Sequence, residues 1–553
     1  MLDKKYLFLL GITLISFFAI LDLFKQGLPL THDGQDHVAR IANFYQNLIE
    51  GNIIPRWAGN LNWGYGHPIL EFLYPLPSYI ASFFHFLGFG LVNSVKIVFG
   101  LGMILSGLFM YSWLSQFLRK SAAFVGAILY VYAPYRFVDL YVRGAIGEHM
   151  AFVFLPLVLF FLYKISKRLS AVYIVGGSFS LAGLVLSHNA ISLMFLPIVF
   201  LYALFMVFFS KRRVTLTFHY LATLILGFGL SSFFWIPAFI EGKYTLRDIV
   251  TDSDYSTRFV AFKDFIYGKW SFGGTVQLSK QVGVVQWFSV IASFFVAFYL
   301  FNKKNKLWIM VASAFLIFWL TIFLMTSSSI FLWEKVSLLQ KFQFPWRFLS
   351  VSVFASSVLA AFFVNSIPKN PKKLRIFCVV IILLLVMFFN KSYWHAQDFL
   401  QKPEKFFTGI YNSTTDTGES APIWSVRFME KRPQSRIEVV RGSADIGVVY
   451  RTMTTREYLI RAYENTRILE NTLYFPGWTV FVDSKPVNIE FQDQNFRGLI
   501  TFNVEKGNHV VNIIYQETKL RFFANLVSLI SLFSIFVIIY FYYFKNKLYN
   551  IRK

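Results

Sequence analysis

The sequence predicts an α-helical polytopic membrane protein of about twelve spans, with an extracytoplasmic β-sandwich-like domain before the last span. Three observations carry that expectation. Apolar runs of bilayer length recur along the chain, basic residues cluster almost without acids in alternate connections, and the pattern turns β-rich from about residue 420.

The apolar content comes first. Of 553 residues, 56% are hydrophobic and 20% aromatic, and the mean hydropathy is +0.53. A soluble chain of this length could not bury so much apolar surface, whereas a bilayer can. The spans are expected at roughly 6–24, 95–116, 121–139, 150–165, 170–187, 189–209, 217–240, 284–302, 306–326, 345–366, 374–391 and 521–544. The first has no small-residue cleavage site after it and reads as a retained span. Cys378 is the single cysteine, so the outer domain must hold together without an intrachain disulfide.

Lys and Arg set the orientation. Lys4/Lys5, Arg119/Lys120, Lys164/Lys167/Arg168, Lys211/Arg212/Arg213, Lys303/Lys304/Lys306, Lys369/Lys372/Lys373/Arg375 and Lys545/Lys547/Arg552/Lys553 fall in alternate connections. They make 21 basic residues against one acid, Asp3. By the positive-inside rule these segments and both termini are cytoplasmic. The net charge of +24 therefore reports topology and not a nucleic-acid partner. Residues 69–90 are long and apolar, but counting them as a span would invert every later loop. They also contain Glu71, Pro75, Pro77 and His85, and read as an interfacial or re-entrant element. The domains are then 1–391, transmembrane, with outer loop 25–94; 392–520, extracytoplasmic; and 521–553, the last span and a basic tail. The outer face also receives 241–283 and 327–344.

Within 392–520, RIEVV, VVYRTMT, EYLIRAY, TVFVD, VNIEF, LITFNV and HVVNIIYQ read as antiparallel strands, with VDSKP and VEKGNH as turns. The domain is either a passive cap or a module that binds carbohydrate or an acceptor.

The residues able to do chemistry gather on the outer face. Asp33 and Asp36 follow span one in THDGQDHVAR, with His37 beside them, ahead of an amphipathic helix marked by Val38, Ile41, Ala42, Tyr45, Leu48 and Ile49. Asp33 reads as a helix cap, as a carboxylate positioned to take a proton from an acceptor hydroxyl, or as both. Arg143, Glu148 and His149 lie between spans three and four. They form either a self-neutralising pair or a site in which Arg143 meets a lipid phosphate. His188 follows span five. Arg347 lies one turn inside span ten, either snorkelling or binding phosphate, and Trp346 is an interfacial anchor or a sugar-stacking face. There is no P-loop, no dinucleotide glycine motif, no zinc-spaced Cys/His cluster and no cytoplasmic domain to bind a nucleotide-sugar.

At these residues the chain resembles membrane glycosyltransferases of the GT-C superfamily, and is similar to YfhO-like proteins and to the membrane family labelled 6-pyruvoyl-tetrahydropterin synthase-related. The resemblance rests on Asp33 and Asp36 with Tyr74-Pro75-Leu76-Pro77; on Arg143 through Glu148-His149 with Pro156; on Phe344-Pro345-Trp346-Arg347; and on Tyr474-Phe475-Pro476-Gly477-Trp478, Val482-Asp483 and Gly507-Asn508-His509-Val510. It implies a GT-C-like fold, a polyprenyl-phosphate-linked sugar as donor, and a saccharide, lipid or protein acceptor on the outer side. It maps the catalytic carboxylate to Asp33, then Asp36, and leaves a divalent metal open as cofactor. The pterin in the family label implies nothing here, since a pterin synthase needs a soluble fold and a zinc-binding His cluster. The expected function is transfer of a sugar to a cell-envelope acceptor in a bacterial or archaeal cell membrane. The alternatives are a transporter or flippase of a lipid-linked saccharide, which would need charges in mid-span, and a non-catalytic envelope assembly protein.

Overall fold

The computed structural model describes residues 4–251, 254–273, 277–368 and 370–551. Asp3, Lys369, Arg552 and Lys553 of the topology argument lie outside them. Among the described residues, nine helices are long and apolar enough to cross a membrane, from Leu91–Leu114 to Lys519–Tyr542. Lys120–Val131 and Pro134–Arg143, bent by 45°, make a tenth if they form one broken span. The other two expected spans are shorter apolar helices, Tyr6–Phe18 and Ala171–Ser187.

Residues 69–90 form no helix of bilayer length. They split at Leu73–Pro75 into Ile69–Phe72 and Leu76–Phe86. The second helix, at about 1.5 Å per residue, is about 16 Å long, half the apolar thickness of a bilayer. Tyr79 Oη donates to the Ile53 carbonyl, and the His85 ring packs on Tyr45.

The loops expected outside converge on one face. Leu28–Pro29 pairs with Phe399–Leu400, Thr245 bridges to Pro422, Asn62 N–H donates to Ser413, and the Gln343 amide donates to Glu419. Basic connections meet on the opposite face. Arg119 bonds Asn365 and the Ile367 carbonyl, and Lys306 covers the Phe209 ring.

The β domain has eight strands: β1 Ile437–Arg441, β2 Ala444–Arg451, β3 Thr455–Ala462, β4 Thr466–Leu473, β5 Trp478–Val482, β6 Lys485–Val487, β7 Leu499–Val504 and β8 Gly507–Tyr515. They form two antiparallel sheets, ordered β2-β3-β8-β5-β6 and β1-β4-β7. Their shared core includes Tyr458, Ile468, Phe475, Trp478, Val480, Ile500, Phe502, Val511 and Ile513.

Three readings differ in detail. VNIEF is not a strand, since β6 ends at Val487 and beyond it only Glu490 bridges, to Thr501. The strand β4 was not among the expected segments because its side chains hardly alternate. Nearly all are buried, including Glu470, Asn471 and Thr472. Glu470 is neutralised by Arg451 at 2.8 Å and Arg456 at 3.0 Å, and accepts from Tyr458 Oη. VDSKP makes the hairpin between β5 and β6, with Asp483 and Ser484 at φ 49° and 67°. VEKGNH instead carries the chain from one sheet to the other, since β7 and β8 belong to different sheets.

Candidate active site

The site is assembled around Gly34–Ile49, the helix expected after Asp33. Most of this helix is enclosed, with Arg40, Asn43 and Asn47 buried as well as Val38, Ile41 and Phe44. Asn47 donates to the Trp57 carbonyl, and Asn43 accepts the Asn60 N–H. Buried amides are tolerated here because each finds a partner.

Asp33 occupies the cap position but makes no capping bond. Thr31 Oγ1 takes that role, accepting the Gly34 N–H at 3.1 Å. The Asp33 carboxylate has no hydrogen bond or ion pair among the described residues, while its backbone N–H donates to the Arg143 carbonyl at 2.8 Å. Gly144 makes this docking work. Its φ of 69° turns the chain, and a Cβ there would lie 2.4 Å from Thr31 Oγ1.

Arg143 is held by acids and an aromatic ring. Its Nη1 donates to Asp139 at 2.8 Å, to Glu148, and to Tyr135 Oη at 3.3 Å. Tyr135 Oη in turn donates to Glu148 at 2.7 Å. The guanidinium carbon lies 4.7 Å from the Trp346 ring centre. The expected Arg143–Glu148 pair therefore forms, with Asp139 as a third member, and every one of its bonds leaves from Nη1. Trp346 is buried, with Arg143 near its ring and Phe344 stacked at 5.2 Å.

His188 caps Asn189–Phe208, its Nδ1 accepting the Ile191 N–H, and its ring stacks on Tyr74 at 4.8 Å. Arg347 Nη1 donates to the Phe342 carbonyl at 3.0 Å, while its Nε is buried and unpaired. Glu148, His188, Arg143 and Arg347 are electrostatic neighbours, and Asp33 acts on Arg143.

Asp36 and His37 are tied down instead. Tyr411 Oη donates to Asp36 at 2.9 Å and accepts from Gln35 at 2.6 Å. Burial raises the Asp36 carboxyl above its usual range against the Arg40 charge. His37 accepts from Arg40 Nη1 at 3.1 Å. Burial, then the Arg40 charge, hold the His37 imidazole well below its ordinary value, so it is neutral at pH 7. His149, next to Glu148 in sequence, points away from this group. Its Nε2 lies 3.1 Å from the Phe99 carbonyl, and its ring abuts Gly102.

The segment 411–419 was not expected in the site. Thr415 accepts from Arg40 through Oγ1 at 2.8 Å and through its carbonyl. Glu419 accepts from Gln343, and burial with the nearby Asp416 raises its carboxyl above the usual range. No catalytic or ligand-binding motif marks these residues. Tyr74 was visible only within Tyr74-Pro75-Leu76-Pro77, Arg40 only at the end of THDGQDHVAR, and Tyr135 not at all. Among the described residues, no three His, Cys, Asp or Glu side chains converge to hold a metal ion.

Helices of bilayer length, a two-sheet β domain and a polar group where their loops meet define a polytopic membrane protein with a large domain on one face. Residues 70–396 match the model of a family described as "6-pyruvoyl-tetrahydropterin synthase related domain; membrane protein", and the chain belongs to that family. The match begins after Asp33 and Asp36 and ends before the β domain. A curated protein of Lactococcus lactis subsp. cremoris (strain MG1363), described as an uncharacterized protein, is 27% identical over 327 residues. That alignment takes in 56% of this chain and 53% of the relative, so the match spans about half the relative's length.

Three solved structures are similar at low identity. The Archaeoglobus fulgidus oligosaccharyltransferase in the apo form is 14% identical, over 77% of this chain and 62% of that one, with a TM-score of 0.42. The arabinofuranosyltransferase AftD from Mycobacteria, as the mutant R1389S, is 10% identical, over 71% and 28%, with a TM-score of 0.47. ArnT from Cupriavidus metallidurans, bound to undecaprenyl phosphate, is 13% identical, over 66% and 78%, with a TM-score of 0.32.

Proposed function

We propose that the chain is a glycosyltransferase. It moves a sugar from a polyprenyl-phosphate-linked donor to an acceptor on the extracytoplasmic face of a cell membrane, the face that carries the β domain. The observation that carries this reading is the unpaired Asp33 carboxylate beside Arg143, in a group that also contains Arg347. Among the described residues each arginine hydrogen-bonds only through Nη1, which leaves guanidinium donors for an anion.

The reaction is an inverting displacement at the sugar C1. The acceptor oxygen bonds to C1 as its proton passes to Asp33, and the bond from C1 to the phosphate oxygen breaks. Polyprenyl phosphate leaves with the electron pair, and Arg143 and Arg347 balance the charge that develops on it. Asp139 and Glu148 hold Arg143 in place, and the Tyr74–His188 stack walls the site. Asp36 serves the helix and not the chemistry, because its carboxylate is already engaged by Tyr411.

The test is Asp33→Asn in membranes supplied with a panel of radiolabelled polyprenyl-phosphate hexoses. Wild-type protein transfers label from one of them. The variant inserts in normal amount and transfers about 10²- to 10⁴-fold more slowly, the usual worth of a general base. Equal rates in the two proteins would remove Asp33 from the mechanism. If no donor on the panel is consumed, the donor class itself is wrong.

A further inference from the structure

We propose that a groove in the membrane body, on the basic face and remote from Asp33, binds one anionic phospholipid. The groove has a volume of about 620 Å³, inside the range of about 300–1,000 Å³ typical of ligand sites. One wall is the stripe Ile198, Leu201, Tyr202, Phe205 and Phe208; the other is Met310, Ser313, Ala314 and Ile317. Each stripe has helical spacing, so each is one helix face. The floor is Trp113 stacked on Phe354 at 5.5 Å, with Trp113 Nε1 donating to Tyr202 Oη at 3.2 Å. Helix Leu307–Met325 packs mainly on Leu349–Ser366, and Asn189–Phe208 packs mainly on Ile146–Lys167 and only lightly on Leu349–Ser366, so the space opens between the two walls.

Length and charge identify the occupant. From Ile198 to Phe209 the wall rises about 16 Å, at 1.5 Å per residue. That is the depth of one leaflet, about half of a 30 Å apolar core. A single acyl chain fits that depth, whereas a long isoprenoid would overrun it. The mouth is cationic. Arg213 lines the groove and lies over Phe208, and Lys306 lies over Phe209, which also lines it. The flanking segments Ser210–Arg213 and Lys303–Lys306 contain no acid. A phosphodiester headgroup with net negative charge matches this mouth, and a zwitterionic one matches it less well.

The test uses the full chain in lipid nanodiscs, with Trp113 fluorescence taken as the difference between wild type and Trp113→Phe. The host lipid is phosphatidylcholine. A minor fraction of chain-brominated lipid is added as phosphatidylglycerol, phosphatidylcholine or polyprenyl phosphate. Brominated phosphatidylglycerol should quench Trp113 as though enriched about 5- to 30-fold over brominated phosphatidylcholine, the effect of one to two basic contacts. Arg213→Ala with Lys306→Ala should abolish that preference, and Ala314→Phe should weaken quenching by every lipid. Equal quenching by the two phospholipids would mean bulk bilayer only and overturn the proposal. Stronger quenching by the polyprenyl phosphate would overturn it in favour of an isoprenoid.

Discussion

At the scale of single residues, small side chains decide where the functional ones stand. A Cβ on Gly147 would lie 2.1 Å from the Tyr74 ring and 2.5 Å from the Ser187 carbonyl. Gly147 therefore lets the Tyr74–His188 stack approach the turn that carries Arg143 and Glu148. Gly147→Ala should cost about 1–3 kcal/mol, the usual penalty of overpacking. It should lower the thermal midpoint in detergent and slow transfer together. A variant that keeps its stability but loses transfer would show that the glycine acts on the site alone. Asp33 and Asp36, three residues apart and alike in sequence, end in opposite situations, one free and one bonded by Tyr411. The sequence placed both at the same helix start. It could not say which would be engaged, because the partner lies 375 residues away.

At the scale of elements, two buried ionic groups tie segments together. Arg521, at the start of the last span, meets Glu71 at 3.0 Å and Glu241 at 2.6 Å. One cation thus faces two carboxylates. Burial pushes the Glu71 carboxyl up to about 8 against the Arg521 charge, so Glu71 keeps its proton at neutral pH. Despite burial, the Glu71 hydrogen bond and the Arg521 charge hold Glu241 below its usual range. Since the folded value of Glu71 is raised, its contribution is complete below about 4.5 and is lost as pH rises to about 8. The wild-type stability, read from thermal unfolding, should fall relative to that of Glu71→Gln across this window, with a slope of up to about 1.4 kcal/mol per pH unit, and run parallel above it. Parallel curves throughout would mean that Glu71 is ionised.

The second group is Glu470 with Arg451 and Arg456 inside the β domain. Glu470→Ala leaves the buried Arg456 without its acid and should cost about 3–5 kcal/mol. Limited proteolysis would detect it as new cleavage within 437–515.

At the scale of the whole molecule, the β domain is not a detachable cap. Trp57, from the loop after helix Gly34–Ile49, is fully buried in the β-domain core, 5.3 Å from Trp478 and 5.4 Å from Tyr515 between ring centres. The segment ahead of the strands returns the exchange by giving Tyr411, Thr415 and Glu419 to the site. Trp57→Ala should cost about 3–5 kcal/mol and destabilise both parts at once. A single shifted thermal transition is expected, and two separated transitions would show that the domains fold independently.

The sequence by itself determined that the chain is a membrane protein, which runs are apolar enough to be spans, that 69–90 stands apart from them, and that β structure precedes the last one. These are properties of local composition and period, and bilayer thickness and the backbone's need for hydrogen bonds act on them directly. It also singled out Asp33, Arg143, Glu148, His188 and Arg347, because charged residues next to apolar spans are conspicuous. Only the tertiary structure decided that Asp33 stays unpaired, that His149 turns to the Phe99 carbonyl, that most of Gly34–Ile49 is enclosed, and that residues 411–419 reach the site. Each of those outcomes depends on a contact between segments far apart in the chain. Burial and hydrogen bonding choose such partners in space, and sequence spacing carries no record of them.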